Sequence, residues 1–121
     1  MPKKILVVDD EINIVKVLVS RLAAAGYEVV AAYDGMQAVA SAHREKPDLI
    51  ILDIQMPAGS GVNVFDNLAR SANTILIPVI FITAFADEET REKVMKMGAR
   101  DFIAKPFDSG TLLAKVAAIL G

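Results

Sequence analysis

Four expected strands in this chain each lead into a side chain that can do chemistry. Leu49-Ile50-Ile51-Leu52 runs into Asp53, Ile5-Leu6-Val7-Val8 into Asp9-Asp10-Glu11, Ile77–Ile82 into Thr83, and Asp101–Ala104 into Lys105. A charge at the end of a buried strand costs on the order of several kcal/mol unless it is paired, hydrogen-bonded or solvated. One such aspartate commonly does no more than start a turn or cap a helix; four strand ends of this kind argue for a shared site. Three carboxylates in one crevice repel, so a proton or a cation must sit among them. Oxygen ligands with no His or Cys nearby suit a hard cation, and few carboxylates with retained water suit Mg²⁺. With Mg²⁺ and the Lys105 ammonium, the charges of Asp9, Asp10 and Asp53 cancel. If Asp53 attacked a phosphoryl group, its charge would be replaced by the roughly −2 of the phosphoryl oxygens. The Thr83 hydroxyl and loop N–H groups would then be donors to it. Carboxylate nucleophile, metal, cation and hydroxyl are the parts that phosphoryl transfer needs.

The elements that must hold these groups alternate. Strands are expected at 4–9, 28–32, 49–53, 77–83 and 101–104, the central ones so apolar that both faces must be covered. Between them the spacing of Ile14, Leu18, Leu22 and Ala25 predicts a helix closed by Gly26. A second helix over 35–46 carries Met36, Val39, Ala40 and Ala42 as its apolar positions, and Pro47 stops it. After the loop 54–60 comes a helix over 61–71 with Val64, Phe65 and Leu68. A charged helix over 87–97 ends at Gly98, and a last helix covers 108–120. Five strand–helix alternations without a hairpin signal mean an α/β fold with a parallel sheet between helical layers. Ligand sites in such sheets lie beyond the carboxyl ends of the strands, which is where the polar residues fall.

Composition narrows the class. The 121 residues are expected to form one domain, 1–121, with 54% hydrophobic residues, no cysteine and a net charge of −2. There is no disulfide framework or thiolate site, no basic stripe for nucleic acid, no membrane span and no signal-peptide pattern, so a cytoplasmic location is expected.

The combination Val7-Val8-Asp9-Asp10-Glu11, Leu52-Asp53-Ile54-Gln55-Met56-Pro57 with Gly61, Ile82-Thr83-Ala84, and Asp101-Phe102-Ile103-Ala104-Lys105-Pro106-Phe107 resembles the receiver domain of bacterial response regulators, over essentially the whole chain. The resemblance implies a flavodoxin-like (βα)5 sandwich of strand order 2-1-3-4-5. It implies a two-component signalling switch in which Asp53 takes a phosphoryl group from a histidine kinase or phosphotransfer protein. Such a receiver catalyses only its own phosphorylation and dephosphorylation. By the same resemblance Asp10 binds Mg²⁺ directly, Asp9 chiefly through water, and the Gln55 carbonyl and Asp53 complete the protein ligands. Lys105 binds the phosphoryl oxygens, and the Lys105–Pro106 peptide is cis. Thr83 turns its hydroxyl onto the phosphoryl group and Phe102 moves inward behind it, altering the surface of helix 87–97, strand 101–104 and helix 108–120. That surface would meet a downstream effector or output domain, or a second copy in a phosphorylation-dependent homodimer. Gln55 and Phe85, two beyond the acceptor and two beyond the threonine, flank the path of the hydrolytic water.

One loop departs from the family's common pattern: Ala58-Gly59-Ser60-Gly61 replaces a bulky residue and an aspartate, which bears on partner contacts rather than chemistry. His43 sits in a polar helical stretch and reads as a solvated histidine, not a relay. Met95 and Met97 read as packing. On helix 87–97, Glu89–Lys93 and Glu92–Lys96 offer i,i+4 support, and its few apolar residues suit a helix that shifts at low cost. Two other classes fit less well. A flavin mononucleotide carrier needs a hydroxyl- and glycine-rich phosphate loop after the first strand, where this chain has Asp9-Asp10-Glu11. A Mg²⁺-dependent aspartyl-phosphate phosphohydrolase would have Asp-x-Asp there.

Overall fold

The computed structural model describes residues 2–56 and 60–121. In chain order the elements are β1 Lys4–Val8, α1 Ile12–Ala24, β2 Glu28–Ala32, α2 Gly35–Glu45, β3 Leu49–Asp53, α3 Gly61–Ala69, β4 Val79–Thr83, α4 Glu88–Lys96, β5 Asp101–Ala104 and α5 Ser109–Leu120. The strands form one parallel sheet of order β2-β1-β3-β4-β5, the order that came with the resemblance. The order reverses beside β1, which pairs with both β2 and β3, so the crevice at the switch point opens between Asp9 and Asp53.

Side chains alternate across a strand, and here they sort into two cores. Ile5, Val7, Leu49, Ile51, Ile80, Ile82 and Ile103 pack against Val15, Leu18 and Leu22 of α1 and Leu112 and Val116 of α5. Leu6, Val8, Ile50, Leu52, Phe81 and Phe102 pack against α2, α3 and Val94 of α4. Burying both faces explains why β3 and β4 contain nothing but large apolar residues until their last position.

Four helices begin on a residue whose side chain accepts an amide hydrogen bond: Asp34, Ser60, Asp87 and Asp108. Helix α1 begins on Glu11, whose side chain makes no such bond. At the other ends, Gly26 and Gly98 take positive φ, as expected of chain reversals after a helix.

Several local expectations are corrected. Strand β4 starts at Val79 rather than Ile77, because Pro78 has no N–H for the ladder and the Ile77 amide instead donates to Thr74 O in a turn. In α1 the buried face is Val15, Leu18 and Leu22; Ile14 is half-buried and Ala25 exposed. In α2 the buried residues are Gly35, Ala38, Ser41 and Ala42, whereas Met36 is 85% exposed and Ala40 lies outside. The small residues of α2 let it approach the sheet closely, which turns the larger ones outward. On α4 the ion pair among the described residues is Arg91–Glu88 at 3.5 Å, not Glu89–Lys93 or Glu92–Lys96. The Ala58-Gly59 part of the loop reading lies outside the described residues.

Candidate functional site

The pleat decides which face each functional residue takes. Asp9 follows β1 in step with Ile5 and Val7, Asp53 ends β3 in step with Leu49 and Ile51, and Lys105 follows β5 in step with Ile103. All three therefore emerge on the α1–α5 side of the sheet. Thr83 is in step with Phe81, and Phe81 sits opposite Phe102 across β4 and β5. Thr83 and Phe102 thus share the other face, diagonally adjacent on neighbouring strands.

At the crevice, carboxylate oxygens of Asp9, Asp10 and Asp53 lie within 4.8 Å of one another. Asp9 and Asp53 are buried, Asp53 to 3% exposure, while Asp10 faces solvent. Asp9 Oδ1 accepts from the Glu11 amide at 2.9 Å. Asp9 Oδ2 has no aligned hydrogen-bond donor, although Lys105 Nζ lies 2.7 Å away as a counter-charge. Lys105 Nζ also lies 3.4 Å from Glu11 Oε1 and 3.6 Å from Asp53 Oδ2. Asp53 Oδ1 accepts from the Gln55 amide at 3.3 Å.

The electrostatics follow from this crowding. Burial, and next the charge of Asp9, push the Asp53 carboxyl from 3.8 up to about 6, against the opposing pull of Lys105. Burial pulls the Lys105 ammonium down, but its contact with Asp9 and the charges of Asp53 and Glu11 outweigh that and leave it above its ordinary value. Three carboxylates within 4.8 Å of one another, with one ammonium among them, leave an excess of negative charge that an oxygen-ligated hard cation fits: it would offset the charge that raises Asp53.

Around this centre, Thr83 Oγ1 accepts from the Phe85 amide at 3.0 Å, and the Phe85 ring is 60% exposed. Phe102 is already buried, at 9% exposure. The Lys105–Pro106 peptide is cis, and the Lys105 amide donates to Thr83 O at 2.8 Å, tying the ends of β5 and β4 together. His43 is exposed on α2, away from these residues in the fold.

Two features escaped the sequence reading. Gly61 begins α3 against the end of β3: its amide donates to Ile54 O at 2.7 Å, and a Cβ there would collide with the Asp53 carbonyl oxygen. Gly61 itself stands in the sequence motif, but the close approach that requires it depends on how α3 returns against the end of β3. The other is the Glu11–Lys105 contact. It joins residues 94 apart, and only the strand order brings them together.

The chain matches known proteins along nearly its full length. A model of the response regulator receiver domain matches residues 5–117. Among curated proteins, the probable transcriptional regulator ycf27 of Cyanophora paradoxa is 42% identical over 98% of this chain and 48% of its own length. The alkaline phosphatase synthesis transcriptional regulatory protein PhoP of Bacillus subtilis is 41% identical over 99% of this chain and 49% of its own. The chain spans about half the length of the curated relatives it matches. Among solved structures, chemotaxis protein CheY4 of Vibrio cholerae superposes with a TM-score of 0.93 at 31% identity, over 98% of this chain and 99% of that one. The receiver domain of the sensor histidine kinase PA1611 from Pseudomonas aeruginosa, which has a magnesium ion coordinated in its active site cleft, superposes with a TM-score of 0.91 at 31% identity over 100% and 99%. Five parallel strands in this order, the acidic crevice at their switch point and the match across residues 5–117 place the chain in the response regulator receiver domain family.

Proposed function

We propose that the chain is a phosphorylation-driven signalling switch with Asp53 as the acceptor. The observation that carries this is the juxtaposition of a buried carboxylate, two further carboxylates and one lysine at the carboxyl ends of β1, β3 and β5. In the reaction, an Asp53 carboxylate oxygen forms a bond to phosphorus as the donor's bond to phosphorus breaks, and the electron pair leaves with the donor. For a histidine kinase or phosphotransfer protein the leaving atom is an imidazole nitrogen. With its pKa pushed up to about 6, Asp53 is still mostly ionised at neutral pH and needs no base. Asp9, Asp10, Asp53 and the Gln55 carbonyl would hold Mg²⁺, which when bound offsets charge on the phosphoryl oxygens. Lys105, its Nζ 3.6 Å from Asp53 Oδ2, would contribute a second positive charge, and the Thr83 hydroxyl would turn to donate to a phosphoryl oxygen. The magnesium ion coordinated in the active site cleft of the PA1611 receiver domain supports a metal in this cleft.

The consequence of transfer is read on the α4–β5–α5 side. Thr83 and Phe102 share a face there, so moving the hydroxyl toward the acceptor changes what Phe102 packs against. An effector, an output domain such as the longer relatives have room for, or a second copy would read that face. A cytoplasmic setting accords with this role; no helix among the described residues is long and apolar enough to cross a membrane.

Incubating the protein with acetyl phosphate and Mg²⁺ should add one phosphoryl group, read by intact mass. Asp53→Ala, or excess EDTA, should abolish it; a phosphoryl group that survives either change would refute the assignment. In the same sample the label's decay tests the flanking positions. We assign Phe85 to shielding and Gln55 to orienting the hydrolytic water, so Phe85→Glu should lose phosphate faster than wild type and Gln55→Ala more slowly.

A further inference from the structure

The three acidic residues after β1 do not share one role. Asp9 and Asp10 face the crevice, whereas the Glu11 carboxylate reaches sideways to Lys105. Glu11 occupies the N-cap of α1, a position that favours Ser, Thr, Asp or Asn because a short side chain can turn back onto the first amides. Glutamate is too long to do this well, and here it makes no cap bond. Its backbone is fixed at both ends nonetheless: its amide donates to Asp9 Oδ1 at 2.9 Å and its carbonyl accepts from the Val15 amide at 3.1 Å. The backbone thus aims the long side chain, 61% exposed, at the Lys105 ammonium from the solvent side.

Of the three carboxylates around Lys105 Nζ, the acceptor is the most distant: Asp9 at 2.7 Å, Glu11 at 3.4 Å and Asp53 at 3.6 Å. We propose that Glu11 is a positioning residue that holds Lys105 toward α1 and off Asp53 in the resting state. The inference rests on the switch function proposed above and adds a restraint to it. Negative charge arriving on Asp53 draws the ammonium across the crevice, and the exposed Glu11 gives it up. An exposed partner is what such a restraint requires, because its carboxylate is left in water and not stranded in the protein. A solvent-screened pair of this kind is weak, so the restraint slows phosphorylation without preventing it.

Two substitutions separate tethering from simple charge. Glu11→Gln removes the charge. Glu11→Asp keeps it but shortens the side chain by one methylene and suits it to capping α1 instead of reaching Lys105. Tethering requires both to take phosphate from acetyl phosphate faster than wild type, by about two- to five-fold, with a readout by intact mass over time. If Glu11→Gln is fast and Glu11→Asp matches wild type, the effect is repulsion of an anionic donor and the proposal is overturned; it is likewise overturned if neither changes. A second readout needs no phosphodonor: the NMR signal of the Lys105 ε-methylene, assigned with Lys105→Arg, should shift in both variants. An unmoved signal overturns the tether even if rates change. Failure of wild type to take phosphate overturns the switch function instead, and the tether is then judged on the Lys105 signal.

Discussion

Burial and the neighbouring charge of Asp9 make the ionised Asp53 carboxylate a cost to the fold. Its pKa is raised from 3.8 to about 6, so the folded chain holds that proton more tightly than the unfolded chain does. Between about pH 4 and pH 6 folding takes up a proton, and stability rises as the pH falls through this window; above it, the buried charge is a net cost. In metal-free buffer at about pH 7.5, Asp53→Asn should therefore unfold at a higher temperature than wild type. The gain is on the order of 1 kcal/mol once solvent screening is allowed for, shrinking below about pH 6. Saturating Mg²⁺ should narrow the gap by stabilising only the protein that keeps its ligands. Thermal melts with a constant Tm difference from about pH 7.5 to pH 4 would contradict this account. At this scale the sequence was informative about which residues meet: Asp9, Asp53 and Lys105 each follow or end an apolar strand, and a parallel sheet gathers such ends. The side chain of Thr83, at the end of β4, stands on the other face. What Glu11 touches was not legible, because it depends on where a flexible lysine stem ends in a crevice built by distant strands.

Helix α3 is held close to the end of β3 by an approach that only glycine permits. The Cβ of alanine at 61 would meet the Asp53 carbonyl and the Ile54 backbone, neither of which can rotate away as a side chain can. We expect Gly61→Ala to cost about 1–3 kcal/mol by forcing the backbone apart. Because the displaced carbonyl is that of Asp53, phosphorylation by acetyl phosphate should fall as well; urea melts and intact mass check the two effects. Unchanged stability would mean that the loop before α3 relaxes freely. The existence and order of the elements were readable from period and punctuation, since Gly26, Pro47, Gly98 and Pro106 stand between runs of distinct spacing. Which face of α2 turns inward was not. Hydrophobicity pointed to Met36, but Ala38, Ser41 and Ala42 are small enough to sit on the sheet, and close packing favoured them.

For the molecule as a whole, α4 is the least anchored helix: Val94 is its one buried residue, among charged neighbours. On β5 next to it, Asp101 is held by Lys115 of α5 at 2.9 Å. A helix with so little apolar area at stake moves at small cost, whereas β5 and α5 are tied to each other. If Thr83 and Phe102 carry the change, Thr83→Ala should still accept phosphate but leave the amide NMR signals of residues 87–107 nearly unmoved when beryllofluoride and Mg²⁺ are added. Shifts equal to those of wild type would show that the hydroxyl does not carry the coupling.

The alternation that sends Asp53 to one face and Thr83 to the other has a geometric consequence. Between the charged crevice and the α4 part of the surface that would report its state lies a single sheet, whereas α5 stands on the crevice side. The route to α4 therefore runs through the sheet's thickness and not along its length. The shortest route crosses at the ends of β4 and β5, where the Lys105 amide is bonded to the Thr83 carbonyl. Lys105 and Thr83, one on each side, are therefore joined through the backbone, so a displacement of either strand end would be carried to both faces.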